Sequence, residues 1–286
     1  MILIADSGST KTEWREVAET GNGKSYTSSG INPFFVNREE ITGLLGREIP
    51  ELANAGVSKL FFYCTGVSNA SKVDVVKGAL TSFFGIEDLF IGSDLLGAAR
   101  SLCMDKPGIA CIIGTGSNSC YYDGRNIVEN VSPLGYILGD EGGGAVIGRK
   151  LVSGILKKQF PDEVIDTFFR TYNYTPAQIL ERVYNMPFPN KFLGQFSRFI
   201  ADNLHVPELQ AIITSSFDEF IVRNVLSYPE ARDFPVHFTG SIAYHFRPFL
   251  EKLLIEHRLQ PGIFSLSPMD NLVKYHIQNP DVPKHQ

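Results

Sequence analysis

Cysteine is scarce in this chain and poorly spaced for chemistry. The 286 residues hold four, at positions 64, 103, 111 and 120, and no two form a CxxC pair. That excludes a disulfide framework and a zinc site of ordinary ligand spacing. All four lie in apolar segments, where a thiol behaves as a small reduced hydrophobe. The six histidines also lack metal-ligand spacing. Long apolar runs are missing: stretches such as Leu60 to Val67 fall far short of the roughly 20 residues that span a bilayer. The opening Met1-Ile2-Leu3-Ile4-Ala5 meets Asp6 before a signal-type apolar region can build, so a secretory signal is not expected and a cytoplasmic protein is. Basic charge is not in excess. Lys and Arg number 26 against 31 Asp and Glu, a net charge of -5, which argues against a nucleic-acid or anionic-membrane surface. No low-complexity tract signals disorder.

What is present is an ordinary globular composition at a length that favours two domains. Strand-like and helix-like signals alternate over the first hundred residues. Ile2 to Ala5, Glu13 to Val17 and Ser25 to Ser28 read as strands, the first two joined as a hairpin. Arg38 to Glu48 reads as a helix, Lys59 to Cys64 as a strand, Lys72 to Phe84 as a helix, Leu89 to Gly92 as a strand and Leu95 to Met104 as a helix. The theme restarts at Ile109 to Ile113, returning at Cys120 to Tyr122 before an Asp123-Gly124 turn. The reading is therefore α/β: two similar domains, 1–105 and 106–286, divided where Lys106-Pro107-Gly108 breaks the pattern. A mainly helical insertion is expected over about 142–228, with Thr175-Pro176-Ala177-Gln178 as a capped helix start. Phe188, Phe192, Phe196 and Phe199 recur at helical spacing and read as core. Pro235 to Phe238 is a further strand. The following helix, Ile242 to Arg258, must be kinked or divided by Pro248, and Ile263 to Leu266 is a last strand before a helix beyond Pro268.

Three strand-ending turns share one chemical character: Asp6-Ser7-Gly8-Ser9-Thr10-Lys11-Thr12, Gly114-Thr115-Gly116-Ser117-Asn118 and Thr239-Gly240-Ser241. Glycine lets backbone N–H groups approach an anion, Ser and Thr add hydroxyl donors, and an adjacent carboxylate can hold hydrated Mg²⁺. Competing phosphate motifs fail on inspection. Gly143 to Gly148 has Walker-like spacing but is followed by Arg149-Lys150 instead of Lys-Ser or Lys-Thr. Gly114-Thr115-Gly116 lacks the third glycine of a dinucleotide fingerprint, since Ser119 stands there.

The order of these turns resembles the phosphate-one, phosphate-two and adenosine motifs of the actin-like ATPase superfamily. Within it the chain is similar to the family joining N-acetylglucosamine kinase with the BadF/BadG/BcrA/BcrD-type ATPases. The matching segments are Asp6 to Thr12, Gly30-Ile31-Asn32, Ser93-Asp94-Leu95-Leu96-Gly97-Ala98, Ile113 to Asn118, Leu138-Gly139-Asp140-Glu141-Gly142-Gly143 and Thr239 to Ala243. They cover essentially the whole chain. The resemblance implies two actin-like (ribonuclease H-like) domains, each a mixed five-stranded sheet flanked by helices, with a nucleotide cleft between them. It implies ATP-dependent phosphorylation of an amino sugar, N-acetylglucosamine or glucosamine, to the 6-phosphate. Asp6 would hold hydrated Mg²⁺; Ser9, Thr10, Lys11, Thr115, Gly116 and Ser117 would grip the phosphates; Gly240 and Ser241 would meet the adenosine. Asn32, Thr65, Gly66, Asp94 and Asp140 would surround the sugar, with Asp94 as general base. The partners would be ATP and a small-molecule sugar, with no nucleic acid and no membrane, and a homodimer is left open.

Plainer roles stand beside these. Asp94 precedes an apolar helix and reads equally as its N-cap. Asp140 and Glu141 read as first-turn acids, and Asn32 before Pro33 as a loop residue. Where a small-residue turn is expected after the last strand, the chain has Ser267-Pro268-Met269-Asp270-Asn271-Leu272; Asn271 is expected to take the left-handed conformation in glycine's stead. Two rival functions belong to the same fold: a BadF-type ATPase activating a partner enzyme, and a non-catalytic sugar sensor.

Overall fold

The alternating signals resolve into two units in the computed structural model, which describes residues 1–8, 10–17 and 23–280. The first unit takes Met1–Lys106, Gly124–Asn126 and the segment from Ser267 onward; the second takes Pro107–Asp123 and Ile127–Leu266.

The first unit runs β1 (Ile2–Ser7), β2 (Lys11–Val17), β3 (Ser25–Ser29), α1 (Arg38–Glu48), β4 (Lys59–Cys64), α2 (Ala70–Phe84), β5 (Leu89–Ser93) and α3 (Asp94–Cys103). The second opens with β6 (Gly108–Ile113), β7 (Ser117–Tyr122) and β8 (Ile127–Glu129). A helical stretch follows: α4 (Gly135–Leu138), α5 (Gly144–Leu156), α6 (Asp162–Tyr172), α7 (Pro176–Tyr184), α8 (Pro189–Gly194), α9 (Ser197–Asp202) and α10 (Pro207–Arg223). Then come β9 (Val236–Thr239), α11 (Ser241–His245), α12 (Arg247–Glu256) and β10 (Pro261–Ser265), before α13 (Met269–Gln278) returns to the first unit.

The duplication is topological. The first sheet has the order β3-β2-β1-β4-β5 and the second β10-β9-β6-β7-β8, the same plan read from the other edge. In both, the opening three strands pair antiparallel and the last two add in parallel. The short strand β8 completes the second sheet; its three residues, two of them exposed, carry too little pattern to be read from sequence.

Alternation along β4 explains why the first sheet is covered on both faces. Leu60, Phe62 and Cys64 join Ile41, Leu45, Val76 and Leu80 of α1 and α2 in one apolar cluster, with Trp14 wholly buried among them. Phe61 and Tyr63 point the other way, where α3 and α13 cover them. Phe61 stacks on His276 at 3.7 Å between ring centroids, and the Tyr63 hydroxyl meets His276 Nε2 at 2.8 Å while accepting from Arg100 at 2.8 Å. The expectation that everything after residue 105 forms the second domain is therefore corrected for the last helix: Phe61, Tyr63 and Phe90 leave an aromatic face that α3 alone does not close.

Three further expectations meet the structure. The capping box at Thr175 and Gln178 forms, and Pro248 sits in the first turn of α12, dividing the helix from α11. The phenylalanine series is broken: Phe196 and Phe199 are buried, but Phe188 has φ +58 before Pro189 and is 51% exposed. Asn271 is not a left-handed turn residue; it lies inside α13, whose start follows Pro268.

Candidate active site

The parallel strands of the first unit bring its acids together. Ser7, Cys64 and Ser93 stand in register at the ends of β1, β4 and β5, so Asp6, Thr65 and Asp94 gather at one sheet edge, where open α/β sheets place ligands. The Thr65 N–H donates to the Ser7 carbonyl at 3.0 Å, extending the ladder one step past β4. Asp94 is the first residue of α3, and its Oδ1 accepts from the Leu95 N–H at 2.8 Å. The N-cap is Ser93, whose Oγ accepts from the Leu96 N–H at 3.1 Å. The plain reading of Asp94 as the cap is thus corrected; its carboxylate keeps the Leu95 N–H of the first turn.

Withdrawal from water raises the pKa of Asp94, with partial offset from the Leu95 N–H and the Thr65 hydroxyl that donate to it. Asp6 is pushed up to about 7, first by burial, then by its acidic neighbours Asp94 and Glu13, against a weaker pull from Lys11. Thr10 and Lys11 are exposed at the hairpin tip; Ser9 lies outside the described residues. Asn32 and Gly66 meet side by side. Gly66 has φ +82, and a Cβ there would strike Asn32 Oδ1 and approach the Phe34 ring to 3.1 Å. Asn32 Oδ1 accepts from the Phe34 N–H at 3.0 Å, which leaves the amide nitrogen of Asn32 as a donor.

The second unit arranges its residues around the β6–β7 tip. Helix α5 starts beneath it: the Gly144 N–H donates to the Gly114 carbonyl and the Ala145 N–H to the Thr115 carbonyl, both at 2.8 Å. Gly143 packs so closely that a Cβ would lie 2.8 Å from the Gly116 carbonyl carbon. Gly240 has φ +112 and lies against the Ile113 carbonyl, so the Thr239–Ser241 turn and the Gly114–Gly116 tip sit side by side.

Asp140 belongs to this set in the second unit. Its backbone has φ +52, its Oδ1 accepts from the Ser117 N–H at 3.3 Å, and its Oδ2 lies 2.7 Å from where a Gly116 Cβ would stand. Burial raises its pKa to about 6, with the Ser117 N–H opposing and Glu141 adding. Glu141 is no first-turn acid either. It is buried, ion-paired with Arg223 and hydrogen-bonded by Asn224 at 3.3 Å, tying the loop to α10 and the residue after it. The small size of Gly116 thus makes room for the Asp140 carboxylate as well as for any phosphate, and its φ is not among the positive ones.

A duplicated mixed sheet, acids at the parallel strand ends of one unit and a glycine-hydroxyl tip over a helix start in the other define a sugar kinase of actin-like fold. No protein-family model matches the chain, and no curated protein matches it in sequence. Solved structures do. A protein from Porphyromonas gingivalis, provisionally assigned as an N-acetylglucosamine kinase, is 45% identical over 98% of this chain and 100% of its own, with a TM-score of 0.93. One from Chromobacterium violaceum with the same provisional assignment is 17% identical over 96% of this chain and 98% of its own, at TM-score 0.71. An ethanolamine utilization protein from Carboxydothermus hydrogenoformans is 13% identical over 96% and 88%, at TM-score 0.56. The last two show the fold alone. The first places the chain plainly: it belongs to the N-acetylglucosamine kinase family, with the actin-like fold.

Proposed function

We propose that this kinase transfers the γ-phosphoryl group of ATP to the 6-hydroxyl of N-acetylglucosamine, with glucosamine as the alternative acceptor. The observation that carries the reading is Asp94: a carboxylate withdrawn from water and not serving as the N-cap, at the strand edge it shares with Asp6 and Thr65, in the unit that also holds Asn32 and Gly66. Its raised pKa suits it to take the proton of the acceptor hydroxyl as that oxygen attacks. Thr65 orients it by donating to it. Asn32, whose carbonyl oxygen is engaged by Phe34, donates from its amide to a sugar oxygen. Ser9, Thr10 and Lys11 take phosphate oxygens from one unit and Thr115, Gly116 and Ser117 from the other, while Gly240 and Ser241 receive the adenosine. Asp140, on the phosphate tip, serves the sugar from the second unit.

The donor set suits magnesium in its usual form. Among the described residues no group of three or more His, Cys, Asp or Glu gathers into a cage, and Mg²⁺ needs none, being held by one or two carboxylates, water and phosphate oxygens. Asp6, a carboxylate whose proton affinity is raised by burial and by Asp94, is the residue to hold it through water. When bound, the cation neutralises charge on the transferring phosphoryl group.

The activator reading fares worse. Cluster-holding activators need accessible cysteines, and all four here are buried. No helix among the described residues is long and apolar enough to cross a membrane. ADP release, coupled to a reporter enzyme and followed with N-acetylglucosamine, glucosamine, N-acetylmannosamine and glucose, tests the proposal. N-acetylglucosamine should give the highest kcat/KM, with mass spectrometry showing a sugar 6-phosphate. ADP release unchanged by every sugar would overturn it.

A further inference from the structure

Two buried hydroxyls in the first unit have no part in the chemistry described so far. Ser7 and Thr12 are register partners across the β1–β2 hairpin, both fully buried, with Oγ and Oγ1 2.7 Å apart. Together they reach the last residue of β3, β2's other neighbour, and the segment just beyond it. The Ile31 N–H donates to Ser7 Oγ at 2.9 Å, and Thr12 Oγ1 reaches the Ser29 carbonyl at 3.0 Å. Ser7 Oγ also reaches the Ile31 carbonyl at 3.3 Å, so the pair has two consistent proton orders: Thr12 donates to Ser29 and Ser7 to Thr12, or Ser7 donates to the Ile31 carbonyl and Thr12 to Ser7. In either order both hydroxyls are engaged, and together they tie the Ile31 backbone and the Ser29 carbonyl to the β1–β2 hairpin.

That hydroxyl pair lies where the sheet has stopped holding the chain. The β2–β3 ladder ends at the pair Lys11 and Ser29; beyond it, Gly30 keeps one backbone bond to the Thr10 carbonyl at 3.1 Å. The next two residues are Ile31 and Asn32. Ser7 and Thr12 are wholly buried in the unit whose apolar core includes Ala5 and Ile31, and an apolar pair in their place would leave the loop backbone without these partners. A buried, fully satisfied polar network instead fixes one arrangement.

We propose that Ser7 and Thr12 are positioning residues of the acceptor site. They lock the Gly30–Asn32 loop to the phosphate-one hairpin, so that Asn32 holds the sugar at a set distance from the phosphates gripped by the same hairpin. This rests on the kinase reading above. It predicts a split between substrates that loss of stability alone would not produce, because the nucleotide's own donors are untouched.

The test uses the full chain with Ser7→Ala, Thr12→Val and the conservative Thr12→Ser, each followed by thermal melting and by kinetics with N-acetylglucosamine and ATP varied separately. Ser7→Ala and Thr12→Val should each raise KM for N-acetylglucosamine roughly tenfold and lower kcat, with KM for ATP changed less than about twofold, since each strands a buried polar partner beside the acceptor loop. Thr12→Ser should restore near-normal values. If Ser7→Ala does not fold, the Thr12→Val and Thr12→Ser pair decides. Unchanged acceptor KM, or equal losses for both substrates, overturns the proposal while the active wild type keeps the kinase reading. A wild type inactive on every sugar overturns both.

Discussion

The second position from the end of the first strand is Asp6 in one unit and Ile112 in the other. After the fifth strand of each sheet comes Asp94 in the first unit, opening a helix, and Leu266 in the second, half exposed and opening none. Where the first unit has acids at its parallel strand ends, the second has Thr239-Gly240-Ser241 and a loop whose glycines admit close backbone contact. One sheet plan thus supports two chemistries. On the proposed reading the difference follows from what each would meet: a proton acceptor is a carboxylate of raised pKa, whereas nucleotide contact needs small residues and N–H groups.

The sharpest way to break that division is to remove an acid from the first unit. Asp6→Asn should reduce Mg²⁺-dependent phosphoryl transfer to the limit of detection, measured as ADP release at saturating sugar. The same variant has a pH signature without nucleotide or metal. The Asp6 carboxyl is held at about 7 in the folded protein against an ordinary 3.8, so between these values the folded state binds more proton than the unfolded one. Stability from this group is present at low pH and is lost as pH rises through 7. Asp6→Asn should therefore melt higher than the wild type at pH 8, with the gap closing by pH 5. A gap that widens on acidification would contradict the raised pKa.

Asp94→Asn comes next. Turnover should fall by roughly 10² to 10⁴ while N-acetylglucosamine still binds. Because Ser93 caps α3, melting at pH 8 should not drop. Retained turnover in a folded variant would move the base elsewhere, with Asp140 the first place to look.

The smallest effect sharpens the comparison from the second unit. A Cβ at Gly116 would meet Asp140 Oδ2 at 2.7 Å, so Gly116→Ala should weaken ATP binding about tenfold through overpacking. In an Asp140→Ala background the added loss should shrink, because the clashing group is gone. Calorimetric ATP affinities that fall by the same factor in both backgrounds would show that the tip answers to phosphate alone.

Much of the fold was legible because its signals are local. Strands β1, β4, β5, β6 and β9 carry apolar residues that end at polar or glycine-rich turns, and the repeat of that theme at Ile109 announced the duplication. Of the site, residue types and order were readable, but not company. That Asp140 sits on the Gly116 tip depends on a left-handed turn at a non-glycine residue, which no local pattern marks. That Ser93 and not Asp94 caps α3 was missed, because both residue types favour an N-cap and they are adjacent. Glu141 gave no sign of burial, since its partners Arg223 and Asn224 lie more than eighty positions away, Asn224 being 83 residues along the chain.

By itself the sequence determined the alternation of strands and helices, the three small-residue turns and the residues available for proton transfer, because these rest on side-chain period, backbone freedom and chemistry at single positions. Only the tertiary structure decided the rest. The return of α13 to the first unit was set by an aromatic face on β4 and β5 that another helix had to close. The pKa of Asp6 was set by burial beside Asp94, two residues whose nearness comes from parallel strand register. The seat of the acceptor loop was set by hydroxyls that meet only across a folded hairpin. Contacts of this kind join positions far apart in sequence, and their energies exist only once the sheet has formed.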